Sequence, residues 1–267
     1  MSISLHIIPN DLLPQYLGAV GDEAQQQFYA LHDSELSIDT FSFYTSVSAV
    51  FSSKIEGEQI ELDSYIKHKR LGAHFLPDYT RKTDDLYDAY TYAHQHPLTE
   101  AALQHTHSLI TRHILQKPQQ GKLRAGNMFV VTKDGRIEYV AATPDVAKAA
   151  MQALYKDIAT LLKATLTFKE TLFYAAMIHL VFVKIHPFED GNGRTARLLE
   201  KWFLAQKLGT KAWFLQSERY YYGQHQLYYT NIRHLGLEYD TLDYTQALPF
   251  LLMLPQSVRP QEWCISL

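Results

Sequence analysis

"HPFEDGNGRTAR", residues 186–197, decides how the rest of this chain must be arranged. His186 precedes Pro187, a pairing that disfavours the α region, so the apolar helix running into Ile185 has to stop there. A short loop follows. Gly191-Asn192-Gly193 then leads into a second helix, "RTARLLEKWFLAQKL". Glycines ahead of a helix let the backbone approach a ligand closely. The free N–H groups and the dipole make that helix start an anion site. Arg194 and Arg197 sit three apart on its first turns, where two cations oppose the dipole. They make most sense facing a polyanion, and the forked donors of Arg suit phosphate. Asp190 beside a phosphate site is a natural Mg²⁺ ligand, because Mg²⁺ takes one or two carboxylates plus phosphate oxygens. His186 can act as a general base towards a hydroxyl. Together these parts describe transfer from a nucleoside triphosphate to a hydroxyl group, with positioning and charge stabilisation doing most of the catalysis.

Outward from this stretch, most segments carry the helical period. The pattern predicts helices near 20–32, 38–56, 60–70, 82–95, 99–115, 144–163, 168–185, 192–207, 218–234 and 244–253. One segment breaks it. "NMFVVTKDGRIEYVAA" sets two β-type runs, Phe129–Thr132 and Ile137–Val140, around Asp134-Gly135, a strong two-residue hairpin signal. The expected fold is mainly α with one β-hairpin and an N-terminal helical lobe. Three regions are expected: residues 1–84, 85–255 and a C-terminal tail, 256–267. The apolar helices of the first region suit a core or a homodimer equally.

Composition narrows the classes. The 267 residues are 46% hydrophobic and 20% charged, with a net charge of −3. That is an ordinary globular balance. It lacks the basicity that nucleic-acid or anionic-membrane binding would call for. The single cysteine, Cys264, excludes an internal disulfide and fits a reducing, cytoplasmic setting. The start "MSISLHIIPNDLLPQ" has no basic segment followed by an apolar run, so no signal peptide is expected. The most apolar stretch, "LFYAAMIHLVFVKI", is broken by His179 and Lys184 and is too short to span a bilayer. His105, His107 and His113 place no clean pair on one helix face, which argues against zinc.

A second stretch raises its own question. In "SSKIEGEQ", residues 52–59, a helix carrying Phe41, Tyr44, Val47, Phe51 and Ile55 ends before Gly57. Glu56 thus sits at the negative pole of its own helix, where an anion is mildly unfavourable. Glu58 and Glu61 read as surface charges.

The 186–197 stretch resembles the signature of the Fic family, H-x-F-x-[DE]-G-N-G-R-x-x-R, at every fixed position. The resemblance extends over roughly 85–255. It implies a helical Fic core and transfer of AMP from ATP to a Ser, Thr or Tyr hydroxyl of a protein, the protein itself included. His186 would deprotonate the target hydroxyl and Phe188 would anchor the loop. Asp190 would hold Mg²⁺, with Mn²⁺ as an alternative. Gly191, Asn192 and Gly193 would cradle the phosphates, and Arg194 and Arg197 would bind the distal ones. The hairpin resembles the family's flap, and "GKLR", 121–124, its lead-in. "LQHTHSLI", around His107, is similar to the helix before the flap. "HQLYYTNI" is similar to the helix after the motif, which would bring Tyr228 and Tyr229 towards the nucleoside. Relatives with altered motifs phosphorylate or transfer phosphocholine, and the intact Gly191 and Gly193 favour AMP. Ser52-x-x-x-Glu56-Gly57 matches [ST]-x-x-x-E-[GN], the family's inhibitory motif, in its N-terminal placement. The implied partner of Glu56 is Arg197: a pair there would leave ATP bound with its α-phosphate misplaced. Two alternatives stand beside this reading. One is removal of AMP from a modified target at the same site. The other is a non-catalytic, nucleotide-sensing binding module.

Overall fold

The computed structural model describes residues 3–31, 40–131, 135 and 137–258. Helices α1 (Leu13–Ala19) and α2 (Glu23–Tyr29) come before a long α3 (Thr40–Ile55). Then follow α4 (Leu62–Leu71), α5 (Pro77–Gln95) and α6 (Glu100–Ile110). An antiparallel hairpin, β1 (Phe129–Val131) and β2 (Ile137–Val140), separates these from α7 (Pro144–Lys163), α8 (Phe168–Ile185) and α9 (Asn192–Leu208). The described part closes with α10 (Ser217–Gly223), α11 (His225–Arg233), α12 (Leu248–Leu251) and α13 (Met253–Gln256). The fold is mainly α, as the sequence pattern predicts.

The centre is α8. Thr167 and Glu170 start it with a reciprocal capping box. Leu172, Phe173, Ile178, Leu180 and Phe182 are all fully buried, so apolar side chains surround the helix on every face. A helix that is hydrophobic all round belongs inside the protein. α9 lies along it, with Leu198, Leu199, Trp202 and Phe203 buried in the same cluster. Tyr16, Phe28, Ala49 and Ile55 from α1, α2 and α3 join that cluster too. The core therefore continues across the expected division at 84/85, which falls inside α5.

The helix at 218–234 is in fact two, α10 and α11, broken at Gln224, whose backbone leaves the helical region (φ −110°, ψ 33°). Gly223 costs helix stability there. The helix expected at 244–253 is a 3-10 turn and two one-turn helices, interrupted by Pro249 and Pro255 chemistry that removes backbone donors. α6 stops at Ile110 rather than 115, and α1 has no counterpart in the periodicity reading. In the hairpin, Phe129 pairs with Val140 and Val130 with Tyr139, and the register shifts before Val131 meets Ile137. Gly135 has φ +80°, while Thr132 and Asp134 lie outside the described residues, as does Cys264. Among the described residues, no helix is long and apolar enough to cross a membrane.

Candidate functional site

α8 ends as its sequence demands, by an unexpected device. His186 takes a left-handed conformation (φ +51°, ψ +59°), the one non-glycine residue with positive φ among those described. A residue before proline is normally extended. Such a backbone costs on the order of 1–3 kcal/mol and persists only where its surroundings hold it. Here Arg124 holds it. Its Nε donates to His186 O at 2.8 Å, its backbone N–H to Pro187 O at 2.9 Å, and its Nη groups to the carbonyls of Gly126 and Ala142.

The turn aims the imidazole. Nδ1 lies 3.3 Å from Val183 O, and a carbonyl only accepts, so Nδ1 carries the proton and Nε2 is the basic nitrogen. Burial pushes His186 down to about 4, and nearby Arg124 adds to this. The ring is therefore neutral at ordinary pH.

Two side chains close the loop behind it. Asn192 Oδ1 accepts from Phe188 N–H at 2.9 Å, and its Nδ2 donates to Phe188 O at 2.8 Å. His107 stacks on the Phe188 ring, centroids 3.6 Å apart. His107 Nδ1 accepts from Gly121 N–H, so Nε2–H donates to Asp190 O at 2.9 Å. Burial takes His107 down to about 4 as well. Gly191 has φ +79°, and a Cβ there would stand 2.8 Å from Thr111 Cγ2. Only glycine fits both demands.

The charged groups gather at the start of α9. Arg194 is buried and pairs with Asp190 at 3.2 Å, while the Asp190 side chain is 51% exposed. Arg194 Nε is buried with no partner, a donor left for a ligand. The Asp190 carboxylate is open to solvent, and one carboxylate suffices for Mg²⁺ when phosphate supplies further oxygens, so these residues fit a magnesium-bound nucleotide. Among the described residues, no three His, Cys, Asp or Glu side chains converge as an all-protein metal cage.

Arg197 is 1% exposed and fully engaged. Nε donates to Ser52 Oγ at 2.9 Å, and Nη2 donates to Ser52 O at 3.1 Å and to Glu56 Oε1 at 2.7 Å. Nη1 reaches Tyr228 OH at 3.4 Å. This answers the misplaced anion: Glu56 leaves the end of α3 and lies against the first turn of α9, the positive pole of another helix. Gly193 gives it room, since a Cβ there would stand 2.6 Å from Glu56 Oε1. Burial opposes its charge, but Arg197 and Arg194 outweigh that and hold its carboxyl below the usual carboxylate range. Its side chain stays 26% exposed.

A cleft of about 170 Å³ collects Glu56, His186, Gly193, Arg197, Tyr228 and Tyr229, with Val130 and Tyr139 of the hairpin as one wall. Tyr228 is buried, and its hydroxyl serves polar partners rather than the open cleft. The hairpin is tied down by Val140 N–H to Leu237 O at 2.8 Å and by an ion pair between Glu138 and Arg233. Glu58, read as a plain surface charge, pairs with Lys82 at 2.6 Å, and Glu61 with Lys54 at 3.1 Å.

Residues 97–204 match the Fic/DOC family. The chain carries a Fic domain. Proteins of this family are known for AMPylation and related nucleotidyl transfer. The fold is similar to a Fic family protein from Desulfovibrio desulfuricans (TM-score 0.75, 20% identity, 96% of this chain and 75% of that one). It is also similar to a Fic-domain-containing signalling protein from Bacteroides thetaiotaomicron (TM-score 0.62, 20% identity, 93% and 91%). A third likeness is to a fragment of Fic-1 from C. elegans (TM-score 0.63, 17% identity, 92% and 69%). At these identities the likeness is one of fold. A ribonucleoside-diphosphate reductase small chain of Ostreid herpesvirus 1 is 31% identical over 124 residues, which is 44% of this chain and only 20% of that protein.

The Fic domain thus places His186, Gly193 and Arg197 around one cleft, with Glu56 reaching in from outside the matched region. Sequence reasoning missed Arg124 as the brace of His186, His107 as the brace of the loop, and His179 behind Tyr228. Each works through backbone carbonyls or buried hydroxyls tens of residues away, which no local spacing reveals.

Proposed function

We propose that this protein transfers AMP from ATP to the hydroxyl of a Ser, Thr or Tyr side chain on a target protein, its own chain included, and that Glu56 restrains the reaction. The observation that carries this reading is His186, neutral and with Nε2 as its basic nitrogen, in the cleft that Gly193 and Arg197 also line. His186 Nε2 takes the hydroxyl proton. The hydroxyl oxygen bonds to the α-phosphorus, and the bond to the leaving pyrophosphate breaks. Arg194 and Arg197 hold the distal phosphates. Mg²⁺ or Mn²⁺, bound by Asp190 and phosphate oxygens, would screen the charge on the nucleotide.

The restraint is the pair between Glu56 and Arg197. A guanidinium spent on Ser52 and Glu56 is not available to a γ-phosphate, so ATP would bind with its α-phosphate out of line. This placement corresponds to the subclass with an N-terminal inhibitory helix. No nucleic acid or membrane takes part in this reading, and the setting is cytoplasmic. A homodimer is compatible with it.

Labelled ATP tests both parts. Glu56→Gly should carry more label than wild type, and equal labelling removes the restraint. Adding His186→Ala to Glu56→Gly should lower labelling by roughly 10²–10⁴-fold, the usual contribution of a general base. Equal labelling there leaves a nucleotide-sensing module instead of an enzyme. Because Glu56 shares the cleft with His186, removal of AMP is a second reading, in which Glu56 holds the attacking water. Incubation of a premodified target with wild type, with and without Mg²⁺ or Mn²⁺, separates release from transfer.

A further inference from the structure

The acceptors around Arg197 come from two directions. Ser52 Oγ, Ser52 O and Glu56 Oε1 belong to the α3 side, while Tyr228 OH belongs to α11. Behind Tyr228 runs a buried chain of polar groups. Tyr228 OH lies 2.9 Å from His179 Nε2, and His179 Nδ1 lies 2.8 Å from Glu200 Oε2. Tyr221 OH donates to that same carboxylate oxygen at 2.9 Å. His179, Tyr221 and Glu200 are wholly buried, and Tyr228 is 1% exposed.

The donors leave one arrangement. Glu200 as a carboxylate only accepts, so His179 Nδ1 carries its proton towards it. Arg197 only donates, so the Tyr228 oxygen accepts from Nη1. Burial pushes the Tyr228 hydroxyl up to about 12, so it keeps its proton. That proton then points at His179 Nε2, which accepts. The direction runs unbroken from Arg197 through Tyr228 and His179 to Glu200.

We propose that Tyr228, oriented by His179 and Glu200, is a positioning residue that holds Arg197 for the distal phosphates of the nucleotide once Glu56 withdraws. The inference rests on the nucleotide-transfer reading above. Its logic is one of permanence. The Glu56 carboxylate reaches solvent and can leave, whereas the Tyr228 support is anchored in the core and stays. The bond from Nη1 is long, 3.4 Å, while Glu56 and Ser52 hold Nη2. With Glu56 gone, Ser52 and Tyr228 keep the guanidinium in place, and Nη2 loses its carboxylate partner and can turn to phosphate. The sequence resemblance brings Tyr228 near the nucleoside, but its buried hydroxyl serves the arginine instead.

The test uses Glu56→Gly as parent and adds Tyr228→Phe or His179→Gln. Three quantities are measured: ATP affinity with Mg²⁺ by calorimetry, transfer kinetics, and the thermal midpoint. Tyr228→Phe should weaken ATP binding about tenfold, the effect of losing one hydrogen bond to a charged group. KM should rise in step and kcat should fall as well, because on the reading above the hold of Arg197 on the distal phosphates also sets the α-phosphate in line. His179→Gln should move ATP affinity in the same direction. A general packing role would lower the thermal midpoint and leave affinity and KM alone. Unchanged ATP affinity in both variants overturns the inference, whatever the midpoint does. A parent that binds ATP but transfers nothing overturns the transfer reading only, and the affinity comparison still decides the role of Tyr228. A parent that binds no ATP overturns both.

Discussion

α3 meets α9 through two charged contacts that are built differently. At the outer contact, Glu56 pairs with Arg197 at 2.7 Å and its side chain is 26% exposed. One turn further along α9, Lys201 pairs with Glu218 of α10 at 2.6 Å and neither side chain is exposed at all. Lys201 Nζ also donates to Ser48 Oγ of α3 at 2.6 Å and to Leu215 O at 2.6 Å, and Tyr90 OH donates to Glu218 Oε1 at 2.6 Å. The inner contact is a sealed anchor in which each charge is surrounded by partners. The outer one is built as a latch, as the proposed restraint requires, because the Glu56 side chain keeps 26% of its surface exposed and can part from Arg197. A charge can regulate only where it can leave without unfolding its neighbours.

The largest expected effect comes from breaking the anchor. Lys201→Met strands the buried Glu218 charge and should cost about 3–5 kcal/mol. For a domain of this size the thermal midpoint should fall by roughly 10 °C. A midpoint within 2 °C or so of wild type would erase the distinction between anchor and latch.

Opening the latch should do the reverse. Glu56→Gly should raise AMP transfer at least about tenfold and cost less stability than the anchor variant, because Glu56 is 26% exposed and Arg197 keeps Ser52 and Tyr228 as partners. A large loss of midpoint with no gain in transfer would make Glu56 a second anchor.

A smaller effect is expected from Gly193→Ala. Gly193 is not in a left-handed conformation, so alanine suits its backbone, but the new Cβ would meet Glu56 Oε1 at 2.6 Å. The carboxylate should be displaced beyond 4 Å from Arg197 in a crystal structure of this variant. An unmoved Glu56 would show that the latch has slack.

The smallest effect concerns pH. His186 is faced by Arg124, Glu56 and Asp190, and its folded value near 4 lies below the ordinary histidine value. The unfolded chain therefore binds the extra proton between those values, and stability contributed by neutral His186 is lost as pH falls through that window. It is fully present above about pH 6.5. Catalysis by Glu56→Gly should accordingly persist below pH 6, and a loss centred near 6.5 would mean that His186 is solvated as an ordinary histidine. The latch resists acid in the same direction: the lowered Glu56 value keeps it charged to below the usual carboxylate range.

Much of the site was legible before any coordinates. Pro187 and the two glycines dictate a helix, a loop and a helix within twelve residues, and that spacing alone brings His186, Asp190, Arg194 and Arg197 together. Ser52 and Glu56 were legible as a pair on one helix end. The break at Gln224 was not, because Tyr220–Tyr222 and Tyr228–Ile232 keep an apolar period on both sides of it. The left-handed His186 was not either, since the residue before a proline is ordinarily extended, and only Arg124, 62 residues away, makes the exception tolerable.

By itself, then, the sequence determined the mainly helical character, the hairpin strands and the helix–loop–helix turn at 186–197. Those depend on neighbours in the chain, through periodicity, proline and glycine, and through charges one turn apart. Tertiary structure made the Glu56–Arg197 pair, which only the family resemblance had implied, across 141 residues, and alone decided that Ser48 seats on Lys201 across 153. It also decided that Tyr228 turns its hydroxyl to His179. Those depend on which helices share a core. A buried donor or acceptor takes whichever partner the packing delivers, because leaving it unpaired costs more than any local preference can supply.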